Sequence, residues 1–256
     1  MHNTFKYALV REVPDTYHNC VSDSPGANSI DVDLARRQHQ LYCKALEDQG
    51  LQLIKINPDN GLPDCCFVED TAIIAGGTAI ITRMDTPSRA PETAATQMVL
   101  EKYKIIKEIK IPATLDGGDV MKIDKKIYIG LSTRTNQEAV EQVQALVKGE
   151  GYQAIPVKIN DILHLKSACT YIGHNFIILS PGHFDQSVFS QYKIITVPPE
   201  EAYAANCLAV NGRVLIARGF PRTREMIEKS GFETIELDMT EFKKGNGSLT
   251  CLSVLF

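Results

Sequence analysis

Four β-hairpin patterns recur along this chain and constrain its fold more than any other feature. Each pattern is a β-rich run, a turn and a second β-rich run. The four stretches are "DTAIIAGGTAIITR" from Asp70, "DVMKIDKKIYIGLS" from Asp119, "CTYIGHNFIILS" from Cys169 and "CLAVNGRVLIAR" from Cys207. Their turn centres recur at intervals of about 40–50 residues, near Gly77, Lys125, His174 and Gly212. A period of this size is typical of propellers and arrays.

A fifth unit is divided between the two ends of the chain. "SLTCLSVLF" is predicted as a strand with no following partner, and "FKYALVRE" as a strand with no preceding one. Pairing them closes a ring of modules without exposed inner edges. We therefore predict a five-bladed α/β propeller of ββαβ modules, as a single catalytic domain over residues 1–256. An ordinary α/β sandwich stays open, because strand order is not visible in the sequence.

Helical patterns lie between the hairpins. The clearest is an amphipathic run from Asp31 to Gly50. A second, "TNQEAVEQVQALVKGEG", begins with a predicted capping box of Thr135 and Glu138. A third, "REMIEKSG", is predicted to stop at Gly231.

Composition excludes several classes of partner. The formal net charge is -4 and no Lys/Arg-rich tract occurs, which argues against nucleic acid or an anionic membrane. No apolar run approaches the ~18 residues of a membrane span, and the start does not resemble a signal peptide. The seven cysteines are an odd number without a CxxC pair, which favours free thiols in a reducing compartment. We therefore expect a cytoplasmic protein.

The first residues of the five modules are chemically reactive types. They are Asp70, Asp119, Cys169, Cys207 and Cys251. In a radial repeat these positions converge on one axial funnel, which would hold two carboxylates and three thiols. Symmetry alone does not identify the thiol that reacts, because free Cys is usually buried and inert.

Two acidic clusters open consecutive modules. "LPDCCFVED" contains Asp64, Glu69 and Asp70, and "TLDGGDV" contains Asp116 and Asp119. Solvated acids or an ordinary turn would explain either cluster alone. Several carboxylates in one cleft require a positive partner, so the pair of clusters suggests a cationic ligand.

One histidine and one cysteine are the leading candidates for catalysis. His164 in "ILHLKSAC" precedes the third hairpin, a place where a single His is more often structural. Cys251 follows the turn-like stretch "GNGSLT", which can expose a thiol at the mouth of a strand. Chemistry by Cys needs a thiolate, which His164 and a cationic substrate could both favour.

Seven stretches in order resemble the dimethylarginine dimethylaminohydrolase family over nearly the whole chain. They are "LPDCCFVEDTAII", "ITRMDTPSRAPE", "TLDGGDV", "IGLSTRTNQEAV", "LHLKSACT", "ANCLAVN" and "GSLTCLSVL". The resemblance implies the five-bladed α/β propeller of the guanidine-modifying superfamily. It also implies hydrolysis of methylated arginines to citrulline and an amine, through a covalent Cys intermediate.

The resemblance also assigns site residues. It implies that Cys251 is the nucleophile, His164 the general acid/base and Asp116 the carboxylate that orients His164. Further residues are implied to hold the substrate: Asp64, Glu69 and Asp70 at its guanidinium or amino end, and Arg89 and Arg134 at its carboxylate. No cofactor and no metal are implied, the partner is a small molecule, and a homodimer stays open. The presumed substrate-covering loop, "TYHNCVSDSPGAN", is more polar than the family pattern near Ser22.

Three alternatives remain at this stage. The nearest is a hydrolase of arginine, hydroxyarginine or citrulline from the same superfamily. A catalytically silent protein that binds arginine or methylarginine is the second, although the retained Cys251, His164 and Asp116 argue against it. A thiol-based metal or redox sensor is the third, and the scattered cysteines argue against that one.

Overall fold

The computed structural model describes residues 4–256 and contains five three-stranded sheets. In each sheet an inner strand pairs antiparallel with a middle strand, and the middle strand pairs parallel with an outer strand. We call each sheet, together with the segment that crosses from its middle to its outer strand, a module.

The strands follow the chain module by module. The first module contains β1 (Tyr7–Arg11) and β2 (Gln52–Ile56), and the second β3 (Ala72–Ala75), β4 (Thr78–Ile81) and β5 (Ile105–Glu108). The third contains β6 (Val120–Ile123), β7 (Lys126–Leu131) and β8 (Gln153–Lys158), and the fourth β9 (Cys169–Gly173), β10 (Phe176–Leu179) and β11 (Lys193–Thr196). The fifth contains β12 (Leu208–Val210), β13 (Arg213–Ala217) and β14 (Glu233–Leu237), and β15 (Val254–Leu255) completes the first.

Helices form the crossovers and the approaches to the inner strands. Four modules cross by an α-helix: α1 (Val32–Asp48), α2 (Glu92–Leu100), α3 (Gln137–Val147) and α5 (Pro221–Lys229). The fourth module crosses through a 3-10 turn, Gln186–Phe189. Short helical segments precede the inner strands: the 3-10 turns Val68–Thr71, Gly117–Asp119, Pro199–Ala205 and Thr250–Leu252, and the one-turn helix α4 (Leu165–Ala168). A further short helix, α6 (Thr240–Lys244), lies before the last of these turns.

The predicted closure through the chain ends is confirmed. β1 pairs antiparallel with β15, with Ala8 opposite Leu255 and Leu9 opposite Val254. A five-module ring therefore replaces the sandwich alternative. The last strand is shorter than predicted, because the residues just before Val254 form a 3-10 turn instead.

Local turn chemistry explains the hairpins, and side-chain caps begin α1 and α3. The turns use residues with positive φ, such as Asp124 (51°) and Asn211 (44°), which match the twist of paired strands. The predicted capping box at α3 is wrong, because Asn136 is the N-cap and accepts from the Ala139 N–H at 3.1 Å. The Thr135 hydroxyl instead donates to a carboxylate beside the axis.

The hydrophobic core is divided among the five interfaces between neighbouring modules. Each of the five buried clusters joins two adjacent modules, as where Leu9 of β1 packs in one cluster with Ile74 of β3. Both β3 and β4 are buried at every residue, whereas outer strands such as β5 are partly exposed. Closing the ring therefore buries apolar surface on both faces of the inner and middle strands. Among residues 4–256, none of the helices has the length and apolar character needed to span a bilayer.

Candidate active site

A cleft of about 1030 Å³ opens where the chain enters the inner strands. His164, Arg134 and Cys251 line this cleft and also a narrow recess of about 20 Å³ beside it. The cleft is bordered by Glu69, and the recess by three further predicted site residues: Asp64, Asp70 and Arg89. The ring thus brings together residues that are far apart in sequence.

His164 is held between two carboxylates. It is the N-cap residue of α4, and its Nε2 lies 3.1 Å from Asp116 Oδ2, while its Nδ1 lies 4.0 Å from Asp70 Oδ1. Burial lowers the pKa of His164, but the charges of Asp70 and Asp119 and the hydrogen bond to Asp116 outweigh burial and raise the pKa to about 9. His164 is therefore an imidazolium near neutral pH and can donate a proton.

Cys251 is the one module-leading thiol that faces the cleft. It lies in the 3-10 turn before β15, and its backbone N–H donates to the Ser248 carbonyl at 3.2 Å. Burial and the charges of Glu69 and Asp70 raise the pKa of Cys251 to about 12. The free protein therefore holds a thiol rather than a thiolate.

The equivalent thiols of the fourth and fifth modules are buried against backbone. Cys169 Sγ contacts the Leu165 carbonyl at 3.6 Å, and Cys207 Sγ contacts the Ala204 carbonyl at 3.1 Å. Burial raises the pKa of both thiols beyond the range of physiological ionisation. The predicted convergence on one cleft therefore does not hold for these two thiols.

The three predicted binding carboxylates have different partners. Asp64 accepts from the Val21 N–H at 3.1 Å, and burial raises its pKa. Glu69 accepts from Lys166, and burial raises its pKa against the opposing charge of Lys166. Burial would also raise the pKa of Asp70, but the charges of nearby cations, foremost His164, lower it below its usual value.

Arg89 has a buried environment that its sequence did not suggest. Its Nη1 donates to Asp70 at 2.9 Å, and its Nε and Nη2 donate to Glu92 at 3.1 and 3.0 Å. Charge pairing with these carboxylates keeps the pKa of Arg89 well above its usual value, despite the opposing effect of burial. The guanidinium fork is thus bound to protein carboxylates here, a role that the sequence interpretation did not include.

Arg134 has the more open position of the two predicted arginines. It is half-buried, lines both the cleft and the recess, and donates to the Thr86 hydroxyl. No carboxylate within 4.0 Å pairs with it among residues 4–256. Its guanidinium is the one better placed to meet a ligand carboxylate.

The glycine pair of "TLDGGDV" serves close packing inside the site. The Gly118 N–H donates to Asp70 Oδ1 at 2.8 Å. A Cβ at Gly118 would lie 2.5 Å from His164 Nδ1 and 2.8 Å from Asp70 Oδ1. Only glycine lets the backbone pass this close to both side chains. The neighbouring Asp119 accepts from the Leu165 N–H at 3.0 Å and so anchors the start of α4.

Sequence reasoning missed a polar network behind the nucleophile. The Thr250 hydroxyl donates to Glu69 at 2.8 Å, next to the ion pair of Glu69 with Lys166. Asn206 Nδ2 donates both to the Lys166 carbonyl at 2.9 Å and to the Thr250 hydroxyl at 3.1 Å. The only sequence signals were Lys166, two residues after His164, and the Asn preceding the leading Cys of the fifth module.

The loop that precedes α1 covers part of the cleft. Val21, Ser22 and Asp23 line it, and the Ser22 hydroxyl donates to the Lys244 carbonyl at 2.7 Å. Asn246 donates to Asp23 at 2.5 Å and ties the loop to the segment before Cys251. The polar character near Ser22 therefore serves, at least in part, to hold the loop in place.

One group of residues in the described part of the chain has the spacing of a metal site. Donor atoms of Asp70, Asp116 and His164 lie within 4.8 Å of one another and are buried. Asp70 is already bound by Arg89 and Gly118, and Asp116 by His164. We assign no metal to this group, and the absence of a metal requirement stays a prediction.

The chain matches known proteins over most of its length. A family model described as "N,N dimethylarginine dimethylhydrolase, eukaryotic" matches residues 15–254. An N(G),N(G)-dimethylarginine dimethylaminohydrolase from Pseudomonas aeruginosa is 36% identical over 228 residues, which cover 88% of this chain and 90% of that protein.

Two solved structures also match this fold closely. DDAH from Pseudomonas aeruginosa, as a Cys-to-Ser mutant complexed with citrulline, matches with a TM-score of 0.94 and 33% identity. A His-to-Gly variant of dimethylarginine dimethylaminohydrolase, as an adduct with S-methyl-L-thiocitrulline, matches with a TM-score of 0.96 and 33% identity. Each match covers 99% of this chain and 100% of the other.

Proposed function

This chain belongs to the dimethylarginine dimethylaminohydrolase family, and we propose that Cys251, His164 and Asp116 perform its chemistry. The reaction is the hydrolysis of Nω-methylated arginines to citrulline and dimethylamine or methylamine. The observation that carries the residue assignment is the shared cleft in which Cys251 faces an imidazolium held by two carboxylates.

Substrate binding follows from the charges around the cleft. A guanidinium is a delocalised cation, and Asp70, Asp64 and Glu69 supply the negative charge that attracts it. Arg134 offers a planar fork of donors to the substrate carboxylate. Arg89 supports the guanidinium end by holding Asp70, and it reaches the substrate carboxylate only if its present ion pairs rearrange.

The bound cation also activates the nucleophile. Its positive charge offsets the carboxylates that raise the pKa of Cys251, so the thiol releases its proton to solvent. The thiolate forms a C–S bond to the central guanidinium carbon. His164 then gives its proton to the departing amine nitrogen as the C–N bond breaks, leaving a cationic thiouronium on Cys251.

Water completes the cycle. Neutral His164 removes a proton from water, and the hydroxide adds to the thiouronium carbon. The C–S bond breaks, and citrulline leaves as the sulfur regains a proton. Asp116 keeps the imidazole in place through both steps by its 3.1 Å hydrogen bond to Nε2. The scheme uses side chains alone, so activity should survive prolonged dialysis against a chelator.

The direct test is incubation with asymmetric dimethylarginine. We expect citrulline and dimethylamine in equal amounts, and an intact-mass adduct on Cys251 when the reaction is quenched early. Specificity constants for arginine, hydroxyarginine and citrulline, measured alongside, decide between this substrate and its nearest rivals. No product at high enzyme concentration would instead support a binding protein that has lost catalysis.

The cellular location, the domain organisation and the oligomeric state are part of the same proposal. All seven cysteines are free thiols, in keeping with a cytoplasmic enzyme. Residues 1–256 act as a single catalytic domain, because the cleft takes residues from several modules of the described part of the chain. We propose a homodimer from the exposed apolar side chains Met98 and Ile105 of the second module and Ile111 just after it. Sedimentation of the wild type and of an Ile105→Lys variant would test this assembly.

A further inference from the structure

A second cavity lies among the five inner strands, next to the candidate active site. Its volume is about 210 Å³, and residues along all five inner strands line it, including Ile74 of β3 and Lys122 of β6. Glu69, Lys166 and Thr250 line both cavities and form the wall between them. The second cavity is therefore adjacent to the catalytic cleft and separated from it by these three side chains.

The charges that line this cavity do not balance. Three cationic side chains but only one carboxylate, Glu69, line it. Lys166 pairs with Glu69, and Arg213 donates to Glu233 at 2.8 Å. Lys122 Nζ donates to a backbone carbonyl at 2.8 Å, and no carboxylate lies within 4.0 Å of it among residues 4–256. Lys122 is thus the cation of the cavity that lacks a counter-ion.

An ammonium in this position is unfavourable without an anion. Burial lowers the pKa of Lys122 to about 8, and the charges of Lys104 and Lys125 act in the same direction against the weaker opposing effect of Glu150. An ammonium has three N–H donors, and the backbone carbonyl uses one of them. Lys122 is half-buried and lines the cavity, so its remaining donors are open to a ligand. A bound anion would supply the missing charge and acceptors.

We propose that this cavity binds a small monocarboxylate with an apolar body, whose carboxylate pairs with Lys122. The remaining lining is largely apolar, with Met121, Ile172 and Phe232 among its side chains. An apolar cavity of ~150 Å³ holds benzene, so about 210 Å³ accommodates an aromatic ring with one carboxylate. The site is separate from the methylarginine site and does not depend on the proposed catalytic activity.

Isothermal titration of the protein with benzoate tests the proposal. We expect benzoate to bind with one site per chain, and the neutral isostere benzamide to bind at least roughly tenfold more weakly, because it carries no negative charge to pair with the Lys122 ammonium. Lys122→Met should weaken benzoate to the same extent, and Lys122→Arg should largely restore it. Arg213→Gln is the matched control and should leave the affinity within roughly twofold, because Arg213 already has a partner.

Competition separates this cavity from the catalytic cleft. Benzoate binding should persist in the presence of saturating citrulline and in an Arg134→Lys variant. Absence of any heat of binding, equal affinity for benzoate and benzamide, or loss of binding with citrulline or in Arg134→Lys would each overturn the proposal. Should Lys122→Met fail to fold, the comparison of benzoate with benzamide on the unchanged protein decides the question.

Discussion

Alkylation of Cys251 by a small amidine tests the electrostatics of the site. In the free protein, burial and the charges of Glu69 and Asp70 raise the pKa of this thiol to about 12. A unit positive charge about 4 Å from the sulfur is worth about 4 kcal/mol at an effective dielectric constant of ~20. That energy corresponds to about three pKa units, so the thiolate population near neutral pH rises about a thousandfold when a cation fills the site.

The assay compares chloroacetamidine with neutral iodoacetamide. Each rate of inactivation is divided by the rate of the same reagent with free cysteine, which removes the intrinsic difference in reactivity. We expect the normalised rate for chloroacetamidine to be larger by roughly two to three orders of magnitude. Intact mass and peptide mapping should locate the modification on Cys251.

Replacing Asp70 should lower the ratio of the chloroacetamidine rate to the iodoacetamide rate by changing both rates. Asp70→Asn weakens the attraction for the amidine cation, so the chloroacetamidine rate falls. It also removes one of the charges that raise the pKa of Cys251, so the iodoacetamide rate rises. Asp48→Asn, which neutralises an exposed carboxylate of α1, is the matched control and should leave both rates unchanged.

Two results would refute this reasoning. Equal normalised rates for the two reagents would mean that a bound cation does not activate the thiol. A thiolate that titrates well below neutral pH in the free protein, followed by ultraviolet absorbance, would mean that the carboxylates do not control it.

Three further predictions concern single residues of the site. Cys251→Ser should lower kcat by at least roughly a thousandfold in a protein that still folds, while Cys207→Ser should keep most of the activity. The reverse pattern would identify Cys207 as the nucleophile. Arg134→Lys should raise KM roughly tenfold, because Lys cannot form a two-point contact with a carboxylate. Hydrolysis of guanidines that lack a carboxylate at the same rate as methylarginines would contradict this role of Arg134. Asp116→Asn should lower the pKa of His164, which Asp116 helps to raise to about 9. The imidazolium then loses its proton at lower pH, so the alkaline limb of the pH–activity profile should shift to lower pH. An unchanged profile would contradict the role of Asp116 as the carboxylate that holds His164.

The sequence by itself determined the architecture, because the same hairpin chemistry repeats in four of the five modules. Hairpin turns such as those at Asp124 and Asn211 require residues that adopt positive φ, and such residues are visible in a sequence. The unpaired strands at the two ends pointed to closure of the ring, which the pairing of β1 with β15 confirmed. The motifs also singled out Cys251 and His164, which line one cleft.

Only the tertiary structure decided which polar groups meet. Arg89 binds Asp70, Thr135 donates to Asp119 instead of capping its helix, and Lys122 lines a cavity without a counter-ion. The physical reason is that these contacts join side chains from different segments of the ring. Periodicity encodes the face of a strand or helix on which a residue lies, but the partner across the axis depends on how five modules close around it.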